Sequence, residues 1–170
     1  MKSKKTDYAW LIASIISFLL LSISFLLMPI ETNNATEGVS IITILAGSLF
    51  WISIVCGIVT QAVLSHRIKS WLASNRIRNG RLARKCGIIS FFKNPFAVAA
   101  DIAMIVGLIG LVITIILTHG IGYVCYLFLA LFVFSFSMHC ILNGKTFYVI
   151  ENKSKIQVAL QKERANQSEK

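Results

Sequence analysis

The chain has 170 residues, which is enough for one domain. Hydrophobic residues make up 56% of it and charged residues only 14%, whereas soluble domains carry about 25% charged residues. So few charges could not cover the water-exposed surface of a soluble domain. The high hydrophobic content likewise excludes a disordered chain, and four cysteines in 170 residues exclude a disulfide-rich secreted scaffold. The composition predicts an integral membrane protein.

Three long stretches contain no Asp, Glu, Lys or Arg, at 8–30, 38–66 and 102–144. A membrane-spanning helix needs about 20 apolar residues, so the first two stretches hold one span each and the third holds two. The segment Thr118-His119-Gly120-Ile121-Gly122 supplies the turn between these two spans, and Asn94-Pro95 opens the third span as an N-cap and first helical residue. We predict spans at about 8–28, 40–64, 96–118 and 121–142.

The predicted fold is therefore an all-α, integral membrane four-helix bundle over residues 1–145, followed by a tail over 146–170. The 17 Lys and Arg residues all lie before the first span, in the connection 65–95, or after the fourth span. Under the positive-inside rule, both termini and that connection are cytoplasmic. This topology accounts for the formal net charge of +10, and nucleic acid is not expected as a partner.

Asp101 is the only Asp, Glu, Lys or Arg within the predicted spans. Because the last two spans turn at Gly120, residues equally distant from Gly120 lie at one depth, and this pairs Asp101 with His139. We predict an intramembrane polar cluster at this depth that consists of Asp101, His139, Gln61 and Asn143. Two interpretations remain open: an interhelical contact that fixes helix register, which we favour, or a pair that holds a proton, a cation or a headgroup amine.

Two rows of residues predict how the last two spans pack. Ala99, Ala103 and Gly107 recur every four residues, which favours the close approach of another helix. This row lies on a different side of its helix from Asp101, so the third span is expected to have neighbours on two sides. Phe128, Phe132 and Phe136 form a row on the fourth span that is expected to face lipid or a packing partner.

The connection 65–95 carries eight basic residues and no acidic one. We predict that the second helix continues into it as a basic amphipathic segment, and that five of its residues contact anionic lipid headgroups: Arg76, Arg78, Arg81, Arg84 and Lys85. In the tail, 146–150 and 156–160 flank a polar segment and alternate in part. Either a small hairpin or a surface helix fits this pattern, and we favour the hairpin.

Two segments carry a resemblance: Phe91-Phe92-x-Asn94 with Ala100-Asp101, and Met138-His139-Cys140-x-Leu142-Asn143-Gly144-Lys145. They make the second half of the chain similar to small four-span bacterial membrane proteins. The resemblance implies a multi-pass protein of the bacterial cytoplasmic membrane, and it implies no particular activity.

The sequence contains no catalytic, cofactor-binding or metal-binding signature, so we expect no cofactor and do not favour an enzyme. The function we expect is a non-enzymatic binding or accessory component of the membrane. Two alternatives are a small oligomeric transporter or channel subunit that uses Asp101 and His139, and a lipid-active enzyme that uses them as acid and base. The expected partners are the bilayer with its anionic headgroups and either a second copy of the chain or another membrane protein.

Overall fold

A computed structural model describes residues 2–28, 41–75, 77, 89–119 and 121–168 of the chain. These residues form five helices and contain no strand. The helices are α1 (Lys2–Leu27), α2 (Ile41–Ser74), α3 (Val98–Thr118), α4 (Tyr123–Leu142) and α5 (Lys145–Ser168).

Four helical stretches are long and apolar enough to cross a membrane: Lys5–Leu27, Ile41–Ser74, Val98–Thr118 and Tyr123–Lys162, the last of which joins α4 to α5. The prediction of an all-α protein with four such helices is confirmed. With 34 residues and a rise of about 1.5 Å per residue, α2 is much longer than the roughly 30 Å apolar core of a bilayer. The predicted continuation of α2 beyond its span is therefore present as far as Ser74.

The membrane-length helices pack as an open row in the order α2, α1, α4, α3. Helix α1 lies between α2 and α4, and α3 packs on the other side of α4. Helices α2 and α3 are the outer members of this row. Lipid is as apolar as a leucine side chain, so a bilayer gives no hydrophobic drive to close the row.

The main hydrophobic core lies at one level along the helix axes, at the end of the molecule where α5 packs against α1, α2 and α4. Its fully or nearly fully buried side chains come from all four of these helices: Leu11, Leu64, Ile68, Leu72, Ile141, Phe147, Val149 and Ile150. We call this end the basic end and define it by Asp7, Arg67 and Lys153, which meet there. Residues from four helices are therefore buried together at this end.

The tail is helical, so the favoured hairpin is wrong. Phe147, Ile150 and Lys153 are buried at three-residue spacing, which places them on one face of a helix and not on one face of a strand. The helix also satisfies its own backbone hydrogen bonds, whereas a lone two-stranded hairpin would leave two unpaired edges. Burial of one face against the core decides between the two structures, which the alternating pattern did not.

Helices α3 and α4 are held together by a row at three-residue spacing on α3. Asp101, Met104 and Gly107 are the buried residues of this helix. An added Cβ at Gly107 would lie 2.9 Å from the backbone nitrogen of Phe132, so the two backbones are in close contact there. Ala99, by contrast, is exposed. The predicted close approach is therefore present at Gly107 but not at Ala99, and Asp101 and Gly107 face the same neighbour, α4, instead of different sides of α3.

The phenylalanine row of α4 supplies the other side of this contact. The ring of Phe128 lies over Gly110, Phe132 packs on Gly107, and Phe136 stacks on Phe132 with ring centroids 5.9 Å apart. Phe136 is 46% exposed. The phenylalanine row thus packs against α3 at Phe128 and Phe132 and is an exposed apolar surface at Phe136.

We expect Gly107→Ala to destabilise the protein by about 1–3 kcal/mol, because the new methyl group meets the backbone of Phe132, which cannot turn away. The matched control is Gly47→Ala on α2, where nothing lies within 4 Å of the added Cβ. Since alanine is the better helix former by about 1 kcal/mol, this control should be neutral or stabilising. Unfolding of both variants in mixed detergent micelles measures the difference, and equal stability would contradict the close contact.

Candidate functional site

Asp101, near the start of α3, is fully buried, and both oxygens of its carboxyl group are hydrogen-bonded. Oδ1 lies 2.5 Å from Nδ1 of His139 on α4, and Oδ2 accepts the backbone N–H of Phe92 at 2.7 Å. A buried polar group without a partner costs about 1–3 kcal/mol, so these contacts make the burial of Asp101 possible. They join the loop 89–97, α3 and α4 at one point.

His139 is 1% exposed and is fixed on more than one side. The ring of Phe91 stacks on the imidazole, with centroids 4.6 Å apart and an angle of 26° between the planes. The side-chain amide of Asn143, one turn later, lies 3.0 Å from the same Nδ1 atom. Asp101, His139 and Asn143 form what we call the Asp–His–Asn cluster, and three of the four predicted cluster residues are in it.

The loop 89–97 closes over this cluster and is fastened to the end of α4. Asn94 Nδ2 donates to the carbonyl oxygen of Leu142 at 2.7 Å, while Asn94 Oδ1 accepts the backbone N–H of Phe96 at 3.1 Å. Phe92 has a φ of 57°, which is uncommon for a residue other than glycine, and its N–H is the one that Asp101 accepts. The strained backbone at Phe92 thus places its N–H in a partly buried hydrogen bond to Asp101.

Asn94 does not act as the predicted N-cap. Helix α3 begins at Val98, and its N-cap residue, Ala97, makes no side-chain capping bond. The Asn94 side chain accepts the N–H of Phe96 in the turn 95–97 that precedes α3, and it donates to Leu142 of α4.

Gln61 does not bond to the Asp–His–Asn cluster. Its Nε2 donates to Ser14 Oγ at 2.7 Å and so joins α2 to α1. In the open row, α1 lies between α2 and α4, which is why a similar depth on α2 does not bring Gln61 to His139. The predicted headgroup contacts all lie outside the described residues: Arg76, Arg78, Arg81, Arg84 and Lys85.

A second buried carboxylate, Asp7 on α1, lies outside the predicted polar cluster. Asp7 is 2% exposed; its Oδ1 accepts from Arg67 Nε at 3.0 Å, and its Oδ2 accepts from Lys153 Nζ at 2.9 Å. The ammonium group of Lys153 also lies 4.9 Å from the centroid of the Trp71 ring, within range of a cation–π interaction. We call Asp7, Arg67 and Lys153 the Asp7 triad; it ties α1, α2 and α5 together.

A signal for this triad is present in the sequence. Asp7 immediately precedes the first apolar stretch, and its two partners belong to segments that the distribution of Lys and Arg assigns to the same side. Asp7, Arg67 and Lys153 all lie outside the apolar stretches, on the side to which the Lys and Arg residues are assigned. Comparing their positions relative to the ends of these stretches would have placed them at the same end of the molecule.

A cavity of about 220 Å³ opens beside the Asp–His–Asn cluster. The loop before α3, the end of α4 and the first turns of α5 line it: Ser90, Lys93, Asn94, Pro95, Phe96, Leu142, Asn143, Tyr148 and Glu151. Asn143 belongs to both the cavity wall and the cluster, so the cluster forms part of the cavity's rigid support.

Two further findings bear on the class of site. Within the described ranges, no three His, Cys, Asp or Glu side chains lie close enough to hold a metal ion. Comparisons with protein-family models, with curated proteins and with solved structures gave no match.

The arrangement at the Asp–His–Asn cluster suits the positioning of helices better than chemistry on a substrate. An acid–base pair must come within hydrogen-bond reach of the group it acts on. Asp101 and His139 are 0% and 1% exposed, and both carboxyl oxygens of Asp101 are engaged by groups of the chain itself. The accessible polar groups of this region are those of the cavity.

Proposed function

We propose that this protein is a non-enzymatic, multi-pass membrane protein that binds another component of its membrane at the basic end. The observation that carries the proposal is the use of the buried ionisable groups. Asp101 and His139 hold α3, α4 and the loop 89–97 together, and Asp7 holds α1, α2 and α5 together. Residues that would serve transport or catalysis are thus engaged in contacts between the helices of this chain.

The proposed membrane is the bacterial cytoplasmic membrane, with the basic end and both termini on the cytoplasmic side. The one-sided distribution of the 17 Lys and Arg residues supports this orientation. The large apolar side chains exposed along α2 and α3 support contact with lipid. An Asn34→Cys variant labelled by an impermeant thiol reagent from the cytoplasmic side would contradict the orientation.

Transport through Asp101 and His139 is the alternative that an experiment can separate most directly from this proposal. We expect liposomes that contain the purified protein to show no proton or cation flux above that of protein-free liposomes, because neither side chain is accessible. The Asp101→Asn variant should behave in the same way. A flux that depends on the wild-type protein and disappears in Asp101→Asn would overturn the proposal and favour a transporter or channel subunit.

A further inference from the structure

The cavity at the basic end has the size of a headgroup site. Pockets for whole drug-sized molecules measure roughly 300–1,000 Å³, and this cavity measures about 220 Å³. Its walls come from the loop 89–97, α4 and α5, and two of these walls are fastened to each other by the hydrogen bond from Asn94 to Leu142. The cavity is therefore a formed feature of the fold and not a gap between independent segments.

The polar groups of the cavity include one charge of each sign. Lys93 contributes an ammonium group from the loop, and Glu151 contributes a carboxylate from α5. Ser90 and Tyr148 add hydroxyl groups, which can donate to a phosphate oxygen. A phosphate with a tethered ammonium group matches this set, because the phosphate pairs with Lys93 and the ammonium with Glu151. A headgroup with only negative charge would face the carboxylate of Glu151 unfavourably.

The rim of the loop is apolar and exposed. Ile89 is 91% exposed, Phe92 54% and Phe96 59%. Phe96 lines the cavity itself and also packs edge-on against Phe147 of the core, with centroids 5.9 Å apart. These side chains stand where α3 begins its apolar stretch, so they are placed to contact acyl chains. A water-soluble ligand would leave them in contact with water, which favours a lipid.

We infer that the cavity binds the headgroup of a phospholipid with a primary amine, phosphatidylethanolamine, with the phosphate at Lys93 and the ammonium group at Glu151. This inference deepens the proposed function by naming the membrane component that the protein binds.

The experiment compares lipids with identical acyl chains on the purified full-length protein by native mass spectrometry. We expect phosphatidylethanolamine to bind about tenfold more tightly than phosphatidylcholine, because the quaternary ammonium of the latter has no N–H to donate to Glu151. Phosphatidylglycerol should also bind more weakly. Equal binding of phosphatidylethanolamine and phosphatidylcholine, or a preference for phosphatidylglycerol, would overturn the inference.

Variants locate the site. Glu151→Gln should abolish the preference for phosphatidylethanolamine over phosphatidylcholine, and Lys93→Gln should weaken the binding of both by about tenfold. Both side chains are exposed, so both variants should fold normally. The control for Lys93→Gln is Lys155→Gln, which also removes one positive charge but from an exposed position on α5 outside the cavity. It should change the affinity for neither phosphatidylethanolamine nor phosphatidylcholine. A preference that persists in Glu151→Gln would place the lipid elsewhere.

Free phosphoethanolamine separates a lipid from a soluble ligand of the same chemistry. We expect it to compete only weakly, because it makes no contact with the apolar rim; competition as strong as that of the diacyl lipid would overturn the assignment to a lipid. The inference and the proposed function also fail in different ways. Ion flux through liposomes would contradict the non-transport function and leave the preference for phosphatidylethanolamine in place. Absence of that preference without any flux would contradict the lipid site alone.

Discussion

Replacing Asp7 with Asn is expected to lower the free energy of unfolding by about 3 kcal/mol or more, the largest effect of any single substitution considered. Removing one partner of a buried ion pair costs about 3–5 kcal/mol, because the remaining charge stays buried after losing its opposite charge. Here that charge is Lys153, whose side chain is 9% exposed, while Arg67 is 36% exposed and can still be solvated. Reversible unfolding in mixed detergent micelles measures the loss.

A double-mutant cycle distinguishes the buried pair from general damage to α1. Lys153→Met removes the buried cation and leaves Asp7 paired with Arg67, so its cost should be smaller than that of Asp7→Asn. The double variant should then be more stable than Asp7→Asn alone, since neither buried charge remains. Arg67→Gln should cost least of the three single changes, because Arg67 is the more exposed cation and Asp7 keeps its bond to Lys153. Additive losses in the double variant would contradict the triad.

Replacing Asp101 with Ala is expected to cost about 2–4 kcal/mol. The change leaves the Phe92 N–H without its acceptor and His139 without its carboxyl partner, and each loss costs about 1–3 kcal/mol. Asp101→Asn should cost only about 1 kcal/mol, since its carbonyl oxygen can still accept from Phe92 and its amide can still bond to His139. The same unfolding measurement ranks the two variants.

Hydrogen exchange gives this second prediction a local readout. In Asp101→Ala the amide of Phe92 should exchange faster than in the wild-type protein, because its hydrogen bond is lost and the loop 89–97 is released from α3. In Asp101→Asn the amide should remain protected. Equal stability of the Ala and Asn variants, with unchanged exchange at Phe92, would show that Asp101 does not position the loop.

Position along the helix axes is the feature that the sequence by itself determined. The bilayer sets a length of about 20 residues for each span, so counting residues between charges was sufficient to find four helices of membrane length. Because α3 and α4 are joined by a short turn that ends α3 at His119, the same counting placed Asp101 level with His139. Both results follow from distances along one chain.

Only the tertiary structure decided which way each helix faces and which helices are neighbours. The hydropathy of α3 does not distinguish its lipid-facing side from its packed side, because both are apolar in a membrane protein. Close packing of Gly107 on Phe132, the separation of Gln61 from His139 and the helical form of α5 depend on contacts between segments distant in sequence. The Asp7 triad depends on three such segments, and its members meet because a buried carboxylate is stable only where cations from other helices reach it.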